Sequence, residues 1–160
     1  MLLALLFSLN AAATADFSGN WVGECFNGRY AYTRSTQIQQ KGDGTIAVEN
    51  WGTTTEHQLA YFPGEEFREE HREDMDDHLE YKAGVHHWDW CPSSGKTKIC
   101  RKSRWQTWSE FDEKNKQDWQ GSGDLSFDDK GRLVIRDLEA YRLNGGWEVT
   151  RQEYCRYERK

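Results

Sequence analysis

Two stretches of this 160-residue chain set aromatic and arginine side chains in a single phase. Read as a strand, Tyr30 to Ile38 puts Tyr30, Tyr32, Arg34, Thr36 and Ile38 on one face, because successive side chains of a strand alternate. The same rule over residues 99–111 gathers Ile99, Arg101, Ser103, Trp105, Thr107, Ser109 and Phe111, and Trp119, Leu125 and Phe127 continue the pattern. Rings dotted with Arg34, Arg101 and Arg151 suit an apolar ligand carrying an acidic head group, since a guanidinium offers a donor fork that fits a carboxylate. The competing expectation is that these side chains fill a small barrel solidly.

Two further groups bear on chemistry. In His86-His87-Trp88-Asp89-Trp90-Cys91 a strand would turn His86, Trp88 and Trp90 to one side and His87 and Asp89 to the other. This stretch leads into Cys91-Pro92-Ser93-Ser94-Gly95-Lys96-Thr97-Lys98-Ile99-Cys100, a turn-rich loop whose rigid tip could dock a protein partner or act purely as a staple. Residues 65–80 hold nine acidic residues against Arg68 and Arg72, a net charge of −7 in a chain whose total is −6. If helical, that stretch would align His71, Asp74, Met75 and His78 as metal ligands, but charge runs are usually solvated surface, so the expectation is no metal. Ser18 and Ser94 lie in turn sequences and no G-x-S-x-G motif is present, so the reading is a binding protein with no cofactor, not an enzyme.

The elements that must carry these residues are strands. Turn signals recur at Asn27-Gly28, Lys41-Gly42-Asp43-Gly44, Pro63-Gly64, Ser94-Gly95, Asp128-Asp129-Lys130-Gly131 and Asn144-Gly145-Gly146. Strands are predicted at 20–26, 29–40, 45–51, 54–62, 79–90, 98–111, 117–127, 132–143 and 147–157, with residues 65–79 open between a short helix and a strand. The first strand places Trp21, Gly23 and Cys25 in phase, and the last does so for Trp147, Val149, Arg151, Cys155 and Tyr157. Pairing these two through Cys25–Cys155 closes the sheet, and closure removes exposed edges. The prediction is an all-β antiparallel up-and-down barrel of eight or nine strands, stapled by Cys25–Cys155 and Cys91–Cys100. Without C-x-x-C spacing, disulfides are preferred over zinc.

Gly19-Asn20-Trp21 resembles the G-x-W motif of the first strand in lipocalin and calycin barrels. The resemblance implies that Gly19 and Trp21 close the barrel floor and that an arginine from the last strand packs on the tryptophan, with Arg151 the first choice and Arg156 the second. In such a barrel the phased residues Tyr30, Tyr32, Arg34, Arg101, Trp105, Trp119 and Arg151 are the candidates for binding a small hydrophobic or amphiphilic molecule in the lumen. The alternative is a barrel that binds protein through its loops, such as an inhibitor of an extracellular hydrolase.

Residues 1–15 read as a signal peptide, an apolar run ending in Ala13-Thr14-Ala15, which leaves 16–160 as a single domain that is secreted or periplasmic. No later run is long enough to span a bilayer, and no basic patch of the kind that binds nucleic acid is visible.

Overall fold

A computed structural model describes residues 13–50, 52–61, 63–72 and 78–160. Among them are ten strands, β1 (Gly19–Phe26), β2 (Ala31–Gln40), β3 (Thr45–Asn50), β4 (Thr53–Gln58), β5 (Glu65–Arg72), β6 (Leu79–Trp90), β7 (Lys98–Ser109), β8 (Gln117–Phe127), β9 (Leu133–Leu143) and β10 (Gly146–Arg159). They form one antiparallel sheet in the order β4-β3-β2-β1-β10-β9-β8-β7-β6-β5, wrapped into a nearly closed barrel. The expected eight or nine strands become ten because the acidic segment is a strand. β5 pairs with β6 from Glu65 opposite His86 to Arg72 opposite Leu79. A strand at the end of a sheet tolerates such a density of charge, since its outer edge and one face meet water.

First and last strands do pair. Trp21 stands opposite Arg159 and Cys25 opposite Cys155, and the second pair is bridged by a disulfide. Cys91 and Cys100 form the other expected bridge. Gly23 lies between Trp21 and Cys25, where a Cβ would overlap the backbone of Arg156 and Tyr157, so this position keeps β1 tight against β10.

The barrel has a filled narrow end and a wide end. At the narrow end Phe17, Trp21, Ile38, Ile46, Ile99, Leu125 and Leu133 are buried, each large side chain contributing roughly 1.5–3 kcal/mol. The chain before β1 crosses this end as a plug. Phe17 stacks on Phe127 with ring centres 4.9 Å apart, and Trp21 Nε1 donates to the Phe17 carbonyl at 3.0 Å. Ala15, at the end of the expected leader, donates its N–H to the Lys96 carbonyl at 2.9 Å.

Two sequence expectations need correction here. The cation over Trp21 is Arg159, 4.9 Å from the ring centre, and neither Arg151 nor Arg156, because β10 runs two residues further than predicted and brings Arg159 level with Trp21. Trp147 and Val149 do not share a face with Arg151, because the register slips between Val149 and Arg151. The extra residue, Thr150, inverts the phase, leaving Trp147 47% and Val149 54% exposed. Between the helix and the strand left open for the acidic segment, residues 65–72 take the strand, which carries His71 of the conditional metal-ligand face. Asp74 and Met75 themselves lie outside the described residues.

Candidate functional site

Register decides which side chains enter the barrel. From Trp21 inward the pairing carries one face around the sheet: Arg34 opposite Gly23, Arg101 opposite Gly123, Trp105 opposite Trp119, and Ile135 opposite Cys155. Above the plugged floor these side chains surround a cavity of about 250 Å3. Its apolar lining includes Val48, Trp88, Trp105, Leu125, Ile135 and Tyr157; its charged lining includes Arg34, Lys82 and Arg101 with Asp137 and Glu139.

Local sequence explains the large side chains. The β8 segment Gly121-Ser122-Gly123 leaves its inner face bare where the neighbouring strands are bulky. A Cβ at Gly121 would meet Ser103 Oγ and the far edge of the Trp105 ring, and one at Gly123 would strike Asp137 and Arg101. The glycines thus give room for Trp105 to lie along the wall and for Arg101 to reach Asp137, with which it forms an ion pair. Burial lowers the Arg101 guanidinium to about 10, so it stays charged at neutral pH. Its plane also sits 5.6 Å from the Trp88 ring centre.

A second knot of charge lies nearer the wide end. Glu153, only 2% exposed, accepts from the Tyr32 hydroxyl, from Arg34 at 3.1 Å and from Arg151 at 3.0 Å. Burial alone would raise its carboxyl. The hydrogen bonds from Tyr32 and Arg151, and the charges of Arg151 and Arg34, outweigh that and hold it below the ordinary carboxylate range. Burial and the same carboxylate push the Tyr32 hydroxyl upward. Buried charge is tolerated here because both carboxylate oxygens have donors.

The expected lumen residues therefore divide. Arg34, Arg101 and Trp105 line the cavity. Tyr32 and Arg151 stand behind it in the Glu153 knot, and Trp119 stacks parallel to Trp105 at 5.9 Å while donating to Thr107 Oγ1 at 2.9 Å. Tyr30 is outside, 62% exposed, because β2 begins one residue after it. Phe111, expected in phase with Trp105, falls beyond the end of β7 and is also exposed.

Sequence reasoning missed His57, Lys82, Asp137, Glu139 and Glu153. Glu153 was legible in one respect: it lies two residues before Cys155, on the phase that the disulfide fixes as inward. His86, Trp88 and Trp90 share the inner side as expected, but their hairpin points to the narrow end. There the loop between Cys91 and Cys100 holds the plug through the Lys96 carbonyl.

His57 and His86 form the remaining feature of the site. His57 lies flat against Trp88 at 4.5 Å, His86 lies flat against Phe67 at 4.1 Å, and the two imidazoles meet edge to face at 5.9 Å. His57 Nδ1 is 2.8 Å from Glu65 Oε2, and since a carboxylate only accepts, the proton is on Nδ1. Burial lowers both histidines; His86, facing His57, Lys82 and Arg101 as well, falls to about 4, and Glu65 partly offsets the effect at His57. At neutral pH both rings are uncharged. Among the described residues no three metal-ligating side chains converge, and no helix is long and apolar enough to cross a membrane. Set against protein-family models, curated proteins and solved structures, the chain matches none.

Proposed function

We propose that this protein is an exported, lipocalin-like binding protein that holds a small amphiphilic molecule inside the barrel and does not transform it. The observation that carries this reading is the cavity of about 250 Å3, lined by Trp88 and Trp105 together with Arg34, Lys82 and Arg101. Drug-sized ligands occupy roughly 300–1,000 Å3, so the occupant is smaller than a long acyl chain. A flat ring against Trp105 or Trp88 with a carboxylate directed at Lys82 and Arg101 uses both kinds of lining. Two disulfides accord with an oxidising destination, the periplasm or the medium.

Native mass spectrometry of gently isolated protein, followed by tryptophan-fluorescence titration with indole-3-acetate and its neutral amide, tests the reading. Saturable quenching by the acid, at least ten-fold weaker for the amide and lost in Trp105→Ala, is expected. Neither a co-purifying molecule nor any saturable response, across small aromatic acids, would overturn it.

A protein partner is the second reading. Phe26, Tyr30, Trp147 and Val149 are all about half exposed or more, on the β1–β2 and β9–β10 hairpins at the wide end, and they favour it. Loss of a captured partner in Trp147→Ser, with lumen binding intact, would separate the two.

A further inference from the structure

The sheet ends at β4 and β5, and no ladder joins them. At the narrow end the chain after β4 fills the place beside β6: Leu59 bridges Trp88, the Ala60 N–H donates to the Trp88 carbonyl at 2.8 Å, and His87 Nδ1 meets the Tyr61 carbonyl at 3.0 Å. Above this level, among the described residues, the hydrogen bonds between the two strands come from one side chain, Glu65. Its Oε2 accepts from His57 Nδ1 at 2.8 Å and its Oε1 from the backbone N–H of Gln58 at 2.5 Å. Behind the latch stand the two stacked imidazoles, His57 on Trp88 and His86 on Phe67.

The cavity reaches this place directly. Thr55 and His57 of β4 and Lys82 and His86 of β6 line it, whereas β5, the terminal strand beside β6, contributes no lining residue. Towards the wide end, by contrast, the lumen holds the Trp105–Trp119–Tyr141 stack and the Glu153 knot.

We propose that the seam between β4 and β5 is a side door to the cavity, closed by the Glu65 latch and opened by acid through protonation of the His57–His86 pair. The proposal rests on the reading of the cavity as a ligand site. Its chemistry follows from what faces each ring. His86 sees His57 from β4, Glu65 and Glu69 from β5, Lys82 from its own strand and Arg101 from β7; His57 sees Glu65, His86 and Arg101. A proton on His86 adds a cation beside Lys82 and Arg101 in a place already poor in water, and the ring gains hydration only by leaving Phe67. Phe67 and Glu65 belong to the same strand, so the movement that frees His86 pulls the latch.

Two measurements on the ligand-free full chain test this. In hydrogen exchange at pH 7.5 and pH 4.5, scaled for intrinsic rates, amides of 53–58 and 65–72 lose at least ten-fold protection at the lower pH, while 19–26 and 153–159 keep theirs. His86→Phe, which retains a ring against Phe67 but takes no proton, abolishes that loss. Equal protection at both pH values, or a loss that persists in His86→Phe, overturns the acid switch.

For the route, Ser103→Cys places a thiol on the cavity wall, and its labelling by methyl methanethiosulfonate at pH 7.5 is followed with and without Glu65→Ala. A rate at least ten-fold higher without the latch is expected; an unchanged rate overturns the side door. Neither measurement needs a bound molecule, so absence of any ligand would sink the proposed function alone.

Discussion

The barrel is closed twice, by opposite means. Between β1 and β10 a continuous ladder runs from Trp21–Arg159 to Phe26–Tyr154 and carries a buried disulfide. Between β4 and β5 there is no ladder, and a carboxylate with two stacked imidazoles closes the gap. Position in the chain accounts for the difference. The first and last strands have no covalent neighbour across their seam, so they depend on the sulfur bridge and a close backbone fit at Gly23. β4 and β5 are close in sequence, and Leu59, Ala60 and Tyr61 tie the chain after β4 to β6 without a β4–β5 ladder. A seam of this kind is where local opening costs least.

The largest test of the comparison removes the first closure. Cys25→Ala with Cys155→Ala releases a loop closed over a separation of 130 residues, which by loop-closure entropy is worth about 5 kcal/mol. Domains of this size have roughly 5–15 kcal/mol in total, so the double variant is expected to lose most of its stability in chemical denaturation. The Cys91–Cys100 pair, with a separation of 9, is worth about 2.6 kcal/mol on the same relation. Two equal losses would show that the β1–β10 seam holds without its bridge.

Next in size is the charge knot beside that seam. Glu153→Leu removes the buried carboxylate that accepts from Tyr32, Arg34 and Arg151, and breaking a buried charge group in this way costs about 3–4 kcal/mol. The effect depends on pH with a definite sign. Glu153 has a lowered carboxyl, so its contribution is complete above the ordinary carboxylate range and is lost as pH falls through the folded-state value. Wild type and variant should therefore converge in stability at strongly acid pH. A constant gap would mean that the cost is one of packing.

How much of this was legible in the sequence follows from the same contrast. The β1–β10 closure was readable because Cys25 and Cys155 mark the inward phase of two strongly alternating strands, and both disulfides follow from it. The β4–β5 side was not. Thr53-Thr54-Thr55-Glu56-His57-Gln58 has no apolar alternation, and the charges of β5 read as solvated loop, so neither His57 nor Glu65 stood out. Within the legible half, a single bulge residue, Thr150, was enough to misplace Trp147 and Val149, because period-two reasoning has no means of detecting an insertion. Arg159 was missed for a simpler reason: the apolar pattern fades after Tyr157, while the backbone ladder continues to the residue opposite Trp21.

A third test moves to the latched side. The folded-state value of His86 lies near 4, against about 6.5 for an unperturbed imidazole. The unfolded chain binds the extra proton between those values, so stability is full above about pH 6.5 and declines as pH falls towards 4. With screening allowed for at this partly exposed ring, the loss by pH 5 is of the order of 1 kcal/mol. Thermal melts at pH 7.5 and 5 should show a smaller drop for His86→Phe than for wild type. Equal drops would assign the acid sensitivity to other groups, Glu153 first among them.

The smallest effect separates a latch from a staple. Glu65→Gln keeps the shape of the side chain and an oxygen for one of its two donors, but removes the charge. Its other terminal atom becomes an NH2, which meets either His57 Nδ1–H or the Gln58 N–H donor to donor. His57 can answer by moving its proton to Nε2, so the expected cost is about 1 kcal/mol, the worth of one ordinary hydrogen bond. Denaturant midpoints would barely register that, yet exchange of the β4 and β5 amides should rise several-fold, because a local opening carries the whole of a local loss whereas global unfolding dilutes it. If instead the midpoint fell as far as it does without the Cys25–Cys155 bridge, the two seams would be energetic equals, and the barrel would have no side on which it preferentially opens.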